Sequence, residues 1–152
     1  MGERSPKEIL EEHWALAEAG NLEEDVARNY ADDVVFLTGF GTYHGHDGAR
    51  ALHRRLAERV PDLRLIYRTR LVHGDIGFLE WTAQGRDTVI PDGADTYLVR
   101  DGRIVVQTIH YTTVPASRGV AGPGPAFDPT IAADLADPTH PGPGDSEGSR
   151  PE

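Results

Sequence analysis

The 152-residue sequence contains no cysteine, so disulfides and thiol chemistry are excluded, which fits a cytoplasmic protein. No run approaches 18 apolar residues, and the N-terminal segment has no apolar stretch of the signal-peptide kind, so no membrane span or export signal is predicted. The formal charge of −10 provides no basic surface for nucleic acid or an anionic membrane. Neither class of partner is therefore expected.

Motifs for cofactors and metals are also missing. The sequence has no glycine-rich phosphate loop, no G-x-S-x-G nucleophile motif and no H-E-x-x-H zinc motif. His44 and His46 are spaced so that they could point the same way on a strand, but no third ligand accompanies them. We therefore predict no metal site and no cofactor, and interpret these two histidines as part of a turn that leads into the next helix.

Two helices are predicted near the N-terminus. Ser5 and Glu8 have the spacing of a capping box, with Pro6 at the first helical position, and apolar residues then recur at helical spacing until Gly20. A second, shorter helix is predicted over residues 22–29, with an asparagine before it as the cap.

A third helix is predicted over residues 48–60, capped by Asp47 and ended by Pro61. Its apolar stripe includes His53, so this histidine is predicted to face the core. Strands are predicted from alternating, β-branched and aromatic segments around this helix. Their predicted ranges are 34–40 with a loose continuation to 44, 63–72, 77–84, 88–90 interrupted at 91–93, 94–100 and 103–111.

The end of the chain differs in composition. Eight of the eleven prolines and six of the seventeen glycines lie in its last 38 residues. Such a segment does not bury enough apolar surface to order itself. We predict a folded domain over residues 1–115 and a flexible acidic tail over residues 116–152, with one short helix near 128–136.

The most informative segment is the predicted hairpin over residues 94–111. Asp101-Gly102 joins its two alternating strands, and Asp-Gly is a strong signal for a type I′ turn. Alternation places Asp95 on the same face as Tyr97 and Val99. A carboxylate is unusual beside such apolar and aromatic residues, and its presence would be explained if this face of the strand lined a pocket. On the second strand the register stays open, since a slip of one residue would bring His110 inside in place of Tyr111.

The order of these elements, with the segments A-G-N-L-E-E-D, Y-A-D-D-V-V-F, Y-H-G-H-D-G-A-R-A-L, W-T-A-Q-G-R and Y-L-V-R-D-G-R-I-V, resembles the nuclear transport factor 2-like superfamily. The resemblance covers roughly residues 7–114 and is strongest for the SnoaL-like polyketide cyclases and ketosteroid isomerases. It implies an α+β cone, in which a curved antiparallel sheet wraps around the N-terminal helices and encloses an apolar pocket. It also implies a homodimer formed through the outer sheet face.

The resemblance assigns roles unevenly. The oxyanion-hole aspartate of ketosteroid isomerase, a carboxylic acid that its apolar site keeps neutral, matches Asp95. The oxyanion-hole tyrosine falls on Trp14, and the general-base aspartate falls on Thr38, which cannot act as a base. A supporting tyrosine falls on His53. The steroid isomerase mechanism in its familiar form is therefore not expected.

We accordingly predict an enzyme that performs cofactor-independent acid–base chemistry on an apolar, oxygenated small molecule, by cyclisation, isomerisation or dehydration. Asp95 and His53 are the predicted catalytic residues. The alternative is a non-catalytic ligand-binding or dimeric interaction module of the same fold, which the threonine in place of the general base favours. The predicted substrate-binding residues are Trp14, Phe36, Thr38, Trp81, Tyr97, Gln107 and Tyr111.

Overall fold

A computed structural model describes residues 2–117 of the chain. N-terminal helices are followed by a curved, open and mainly antiparallel sheet, so the predicted α+β cone is confirmed. Residues 118–152, which include nearly all of the predicted tail and the short helix predicted near 128–136, lie outside the described residues. No helix in the described range is long and apolar enough to cross a membrane. The elements are α1 (Pro6–Ala19), α2 (Leu22–Asn29), β1 (Tyr30–Thr38), β2 (Gly41–His44), α3 (Gly45–Arg59), β3 (Arg64–His73), β4 (Ile76–Gln84), β5 (Thr88–Arg100), β6 (Arg103–His110) and β7 (Val114–Pro115).

The first helix begins and ends as its sequence predicts. The Ser5 hydroxyl accepts a hydrogen bond from the Glu8 amide at 3.2 Å, and the Glu8 carboxylate accepts one from the Ser5 amide at 2.7 Å. Gly20 takes the left-handed conformation that terminates the helix. This helix buries Ile9, Leu10, His13 and Trp14 against the sheet.

The boundaries that differ most from the prediction are the starts of α3 and β1. The helix α3 starts at Gly45 rather than Gly48, directly after β2, so Asp47 lies in its first turn and pairs with Arg50 at 2.9 Å instead of capping it. The strand β1 starts at Tyr30, not at Val34. The segment predicted to continue loosely from it is the strand β2, which forms an antiparallel hairpin with β1.

The sheet has the order β2-β1-β6-β5-β4-β3, with β7 added beside β5. All strand pairs are antiparallel except β1 with β6, which is parallel. This parallel pair joins residues that are far apart in the sequence. The hairpin between β5 and β6 turns at Asp101 (φ 50°) and Gly102 (φ 73°), as a type I′ turn requires. This hairpin prediction is confirmed.

Three bulges decide which side chains face the interior. In β3 the bulge at Arg68 reverses the alternation, so Leu71 is exposed and Val72 packs inward, contrary to the predicted pattern. In β6 a second bulge leaves Ile104 and Gln107 both buried. Beyond it, Ile109 and Tyr111 face the interior, which settles the register that the sequence left open.

The third bulge lies where the sequence predicted an interruption. The strand β5 continues through Pro91 and Asp92, which together face a single residue of β4. Gly93 follows, and the indole of Trp81 lies directly on its backbone, so that a methyl group at Gly93 would overlap the ring. Because Gly93 has no side chain, the Trp81 indole can pack directly against the backbone there.

Substituting Gly93 with alanine should displace the Trp81 indole. We expect Gly93→Ala to lower the free energy of unfolding by about 1–3 kcal/mol, the usual cost of overpacking, and to change the tryptophan fluorescence. The matched control is Gly39→Ala, since no atom lies within 4 Å of the methyl group it would add. Chemical denaturation of both variants measures the effect, and equal stability of the two would contradict this account of Trp81.

Candidate active site

The interior of the cone contains a cavity of about 620 Å³. Side chains from all three helices and from β1, β3, β4, β5 and β6 line it, and its exposed lining residues, which include Glu18, His53 and Arg64, mark the opening. The residues predicted from the sequence that the structure brings together on its wall are Phe36, His53, Trp81, Asp95, Tyr97, Gln107 and Tyr111.

Asp95 lies at the buried end of this cavity, with only 7% of its surface exposed. Its Oδ1 accepts a hydrogen bond from Trp81 Nε1 at 3.0 Å. Its Oδ2 accepts one from Gln107 Nε2 at 2.9 Å and one from the Tyr97 hydroxyl at 3.2 Å. Three neighbouring strands thus each supply one donor to the same carboxylate.

These contacts leave one acceptor position unused among the described residues. An ionised carboxylate has about four acceptor positions, two on each oxygen. Both positions on Oδ2 of Asp95 are occupied, whereas Oδ1 has only the Trp81 bond. The Oδ1 atom is therefore the one available to a ligand.

Burial dominates the ionisation of this carboxyl group. Desolvation raises the pKa of Asp95 from 3.8 to about 6, against the opposing effects of the bonds from Trp81 and Gln107 and of the nearby His13. The group therefore changes its protonation state close to neutral pH, where a general acid or base is most effective.

The amide of Gln107 is oriented by a second buried residue. The Tyr30 hydroxyl donates to Gln107 Oε1 at 2.6 Å, so the amide nitrogen must point toward Asp95. Burial raises the pKa of the Tyr30 hydroxyl well above its ordinary value, so that it remains a donor. Sequence reasoning placed Tyr30 just after the second helix, outside any predicted strand, and missed this role.

Sequence reasoning also missed a buried histidine–aspartate pair. His13 on α1 and Asp25 on α2 are 5% and 2% exposed, and Nδ1 of the histidine lies 2.8 Å from Oδ2 of the aspartate. Both residues line the cavity. The available signal was their position on apolar helix faces, His13 beside Ile9 and Asp25 beside Val26.

His53, the histidine that the sequence analysis predicted to be catalytic, does not lie beside Asp95. His53 lies on the cavity wall at the opening, and its side chain is exposed rather than core-facing, so the predicted burial is wrong. Among the described residues, no hydrogen bond joins His53 to Asp95. His53 lies at the exposed edge of the apolar stripe of α3, whose members Leu52 and Leu56 also line the cavity.

Two further predicted residues are not on the cavity wall. Thr38 is the last residue of β1, beside the turn into β2, where its hydroxyl donates to the Gly41 carbonyl at 2.9 Å and accepts from the Phe40 amide at 3.0 Å. Trp14 is buried in the core, and its indole N–H has no hydrogen-bond partner among the described residues. The structure therefore gives neither residue a contact with the cavity.

No cluster of three or more histidine or acidic side chains within residues 2–117 could hold a metal ion. His46 instead contacts the Tyr30 carbonyl at 3.2 Å and Asp32 at 3.6 Å, next to the start of α3.

The pKa of Asp95 makes a prediction about stability. Because the folded protein holds this proton more tightly than the unfolded chain, Asp95 contributes most to the free energy of unfolding below pH 3.8, and this contribution is lost as the pH rises through about 6. The difference between wild type and Asp95→Asn should therefore change by about 3 kcal/mol from pH 3.5 to pH 7. Urea denaturation across this range tests it, with Asp33→Asn, an exposed aspartate, as the control. A difference that does not vary with pH would contradict the stated burial of the charge.

Comparisons with known proteins agree with this architecture. Structures that resemble the chain include an NTF2-like protein of unknown function from Burkholderia pseudomallei, 21% identical, with a TM-score of 0.60 and coverage of 74% of this chain and 92% of that one. A proposed SnoaL-like polyketide cyclase from Mesorhizobium loti is 20% identical, with a TM-score of 0.56 and coverage of 71% and 100%. A proposed isomerase of the SnoaL-like family from Agrobacterium tumefaciens is 20% identical, with a TM-score of 0.56 and coverage of 68% and 94%.

No curated protein sequence matches the chain. The model of the SnoaL-like domain, however, matches residues 10–107, which include the histidine–aspartate pair, Asp95 and the three side chains that donate to Asp95. The chain belongs to the SnoaL-like domain family.

Proposed function

We propose that the protein is an enzyme that performs cofactor-independent acid–base chemistry on a small, mainly apolar molecule that carries oxygen atoms, with Asp95 as the group that exchanges a proton with the substrate. The observation that supports this proposal most directly is the buried carboxylate with one unused acceptor position at the end of a cavity. Buried titratable groups with shifted pKa values in a cavity are typical of catalytic sites.

The chemistry follows from the Oδ1 atom. In its ionised form Asp95 would remove a proton from a carbon next to a substrate carbonyl, and the electron pair of the broken C–H bond would stay on the substrate as an enolate. The neutral acid would then return the proton to another substrate atom. Cyclisation, isomerisation and dehydration all use this sequence of removal and return.

The cavity wall indicates the class of substrate. Phe36, Leu52, Leu79, Trp81 and Ile109 supply apolar and aromatic surface, whereas the hydrogen-bonding groups gather around Asp95. A volume of about 620 Å³ lies within the usual range for sites that bind small molecules. The similar protein from Mesorhizobium loti is proposed to be a polyketide cyclase, and the one from Agrobacterium tumefaciens is proposed to be an isomerase. Both proposed activities belong to the reaction class proposed here.

A non-catalytic binding module is the second candidate. The observation that favours it is Thr38, whose hydroxyl is engaged in its own turn and leaves no base at the position that the ketosteroid isomerase resemblance assigns to one. Such a module would use the same cavity to hold a ligand, with Asp95 only orienting it.

Replacing the carboxylate separates the two candidates. We expect Asp95→Asn to lower turnover of a substrate found by panel screening by about 100-fold or more, since it removes the proton-exchanging group, while ligand affinity changes far less. Turnover and calorimetric binding should be measured together, with Asp33→Asn as the exposed control. Loss of binding and turnover in proportion, or full activity of a folded Asp95→Asn protein, would contradict the catalytic role.

We also propose that the protein forms a homodimer through the outer face of the sheet. The register places two rows of outward side chains across five strands, and Leu37, Leu71 and Ile76 on this face are 48%, 60% and 56% exposed. Phe78 and Leu98 lie between them and are half-buried. A connected apolar surface of this kind is typical of a protein–protein contact.

A charge at the centre of that face should prevent association. We expect the wild type to have twice the chain mass of 16.6 kDa in light scattering, and Phe78→Asp to have the mass of one chain because a carboxylate cannot be buried unpaired there. Ala15→Asp, on the exposed side of α1, is the control and should remain dimeric. A wild type that is monomeric at all concentrations would rule the interface out.

A further inference from the structure

A continuous chain of hydrogen bonds connects Asp95 to the buried histidine–aspartate pair. Oδ2 of Asp95 lies 3.2 Å from the Tyr97 hydroxyl, and the same hydroxyl lies 3.3 Å from Nε2 of His13. Nδ1 of His13 lies 2.8 Å from Asp25. The chain thus crosses from β5 through α1 to α2 by direct contacts between side chains.

The hydrogen on the Tyr97 hydroxyl can be donated to only one of its two neighbours. If His13 is protonated on both nitrogens, it donates to Asp25 and to the Tyr97 oxygen, and the Tyr97 hydrogen points to an ionised Asp95. If His13 is neutral, Nε2 accepts the Tyr97 hydrogen, and the Tyr97 oxygen is free to accept one from a protonated Asp95. The two arrangements contain the same number of protons.

We propose that His13, oriented by Asp25, shares one proton with Asp95 through the Tyr97 hydroxyl, so that the three side chains act as one acid–base unit. The proton on Nε2 of His13 passes to the Tyr97 oxygen as the Tyr97 proton passes to Oδ2 of Asp95. Imidazolium and carboxylate become imidazole and carboxylic acid, and the total charge is unchanged. This inference deepens the proposed function, which requires Asp95 to serve as a base in one step and as an acid in the next.

The surroundings of the pair restrict which groups take part. Burial raises the pKa values of the hydroxyls of Tyr97, Tyr30 and Tyr67, so these remain protonated. Tyr30 approaches His13 from β1 with ring centroids 5.4 Å apart, and Tyr67 faces the cavity from β3. The other titratable groups on the cavity wall, Glu18 on α1, His53 on α3, Arg64 on β3 and the half-buried Tyr111, lie toward the opening.

Asp25 is held in place from its other side. Its Oδ1 accepts a hydrogen bond from Asn29 Nδ2 at 2.9 Å, and Oδ1 of that asparagine accepts one from Arg4 at 2.9 Å. Arg4 also pairs with Glu12, next to His13 on α1. These contacts fix the carboxylate that orients His13, so that its Nε2 faces Tyr97. In this account, His13 is a positioning residue that acts through Tyr97.

Nuclear magnetic resonance of the unliganded full chain tests the inference without a substrate. In the wild type, the ¹⁵N signals of the His13 ring should change over the same pH range as the ¹³C signal of the Asp95 carboxyl, as expected for coupled groups. His13→Gln keeps a donor for Asp25 and removes the imidazole, so the pKa of Asp95 should rise above about 6, by about one pH unit. Asp25→Asn should reverse the tautomer of neutral His13, from Nδ1–H to Nε2–H, because the asparagine can donate to Nδ1.

The control is His73→Gln, an exposed histidine at the end of β3, which should leave the Asp95 signal unchanged. His13 signals that stay constant while Asp95 titrates would overturn the inference, and this result comes from the wild type even if a variant does not fold. An unchanged Asp95 pKa in folded His13→Gln would overturn it as well. Because neither measurement depends on turnover, failure of the proposed enzymatic function remains a separate result.

Discussion

The structure of the site depends on the burial of one carboxylate, that of Asp95, among donors from three strands. Removing a carboxylate from water is unfavourable unless hydrogen bonds replace the lost hydration. Trp81, Tyr97 and Gln107 provide those bonds, and each is held by a further contact: Trp81 by the bare backbone of Gly93, Tyr97 by its approach to His13 and Gln107 by Tyr30. Even so, desolvation outweighs the three bonds and raises the pKa. As a result, the Asp95 carboxyl group changes between its charged and neutral forms close to neutral pH, where proton exchange with a substrate is most effective.

The irregularities of the sheet place these groups. The bulge at Pro91 and Asp92, just before Gly93, lets β5 bend while keeping Asp95 and Tyr97 on the inner face, and the bulge in β6 turns both Ile104 and Gln107 inward. Without the second bulge, strict alternation would place Ile104 on the outer face while Gln107 points inward. The shape of the cone and of its cavity therefore depends on the positions of the β-bulges.

Much of the fold could be predicted from local sequence. Capping residues such as Ser5, the Asp101-Gly102 turn and the alternation around Asp95 act over a few positions, and the structure confirms them. The bulge at Arg68 carries no residue signature, so the inward face of β3 could not be followed beyond it. Likewise, His13 and Asp25 meet only because α1 and α2 fold against each other. The sequence directed attention to His53 because a helical stripe shows which face is apolar but not whether that face ends at the mouth of a cavity.

The central claim is that the Asp95 carboxyl group is buried in the cavity rather than exposed to bulk water. The most direct measurement is the pH titration of the Asp95 side-chain ¹³C signal in the unliganded wild-type protein. Burial predicts a midpoint at about 6. A midpoint at or below 3.8, the ordinary value for an aspartate, would show that the carboxylate is hydrated or fully stabilised in its charged form, and would contradict the account.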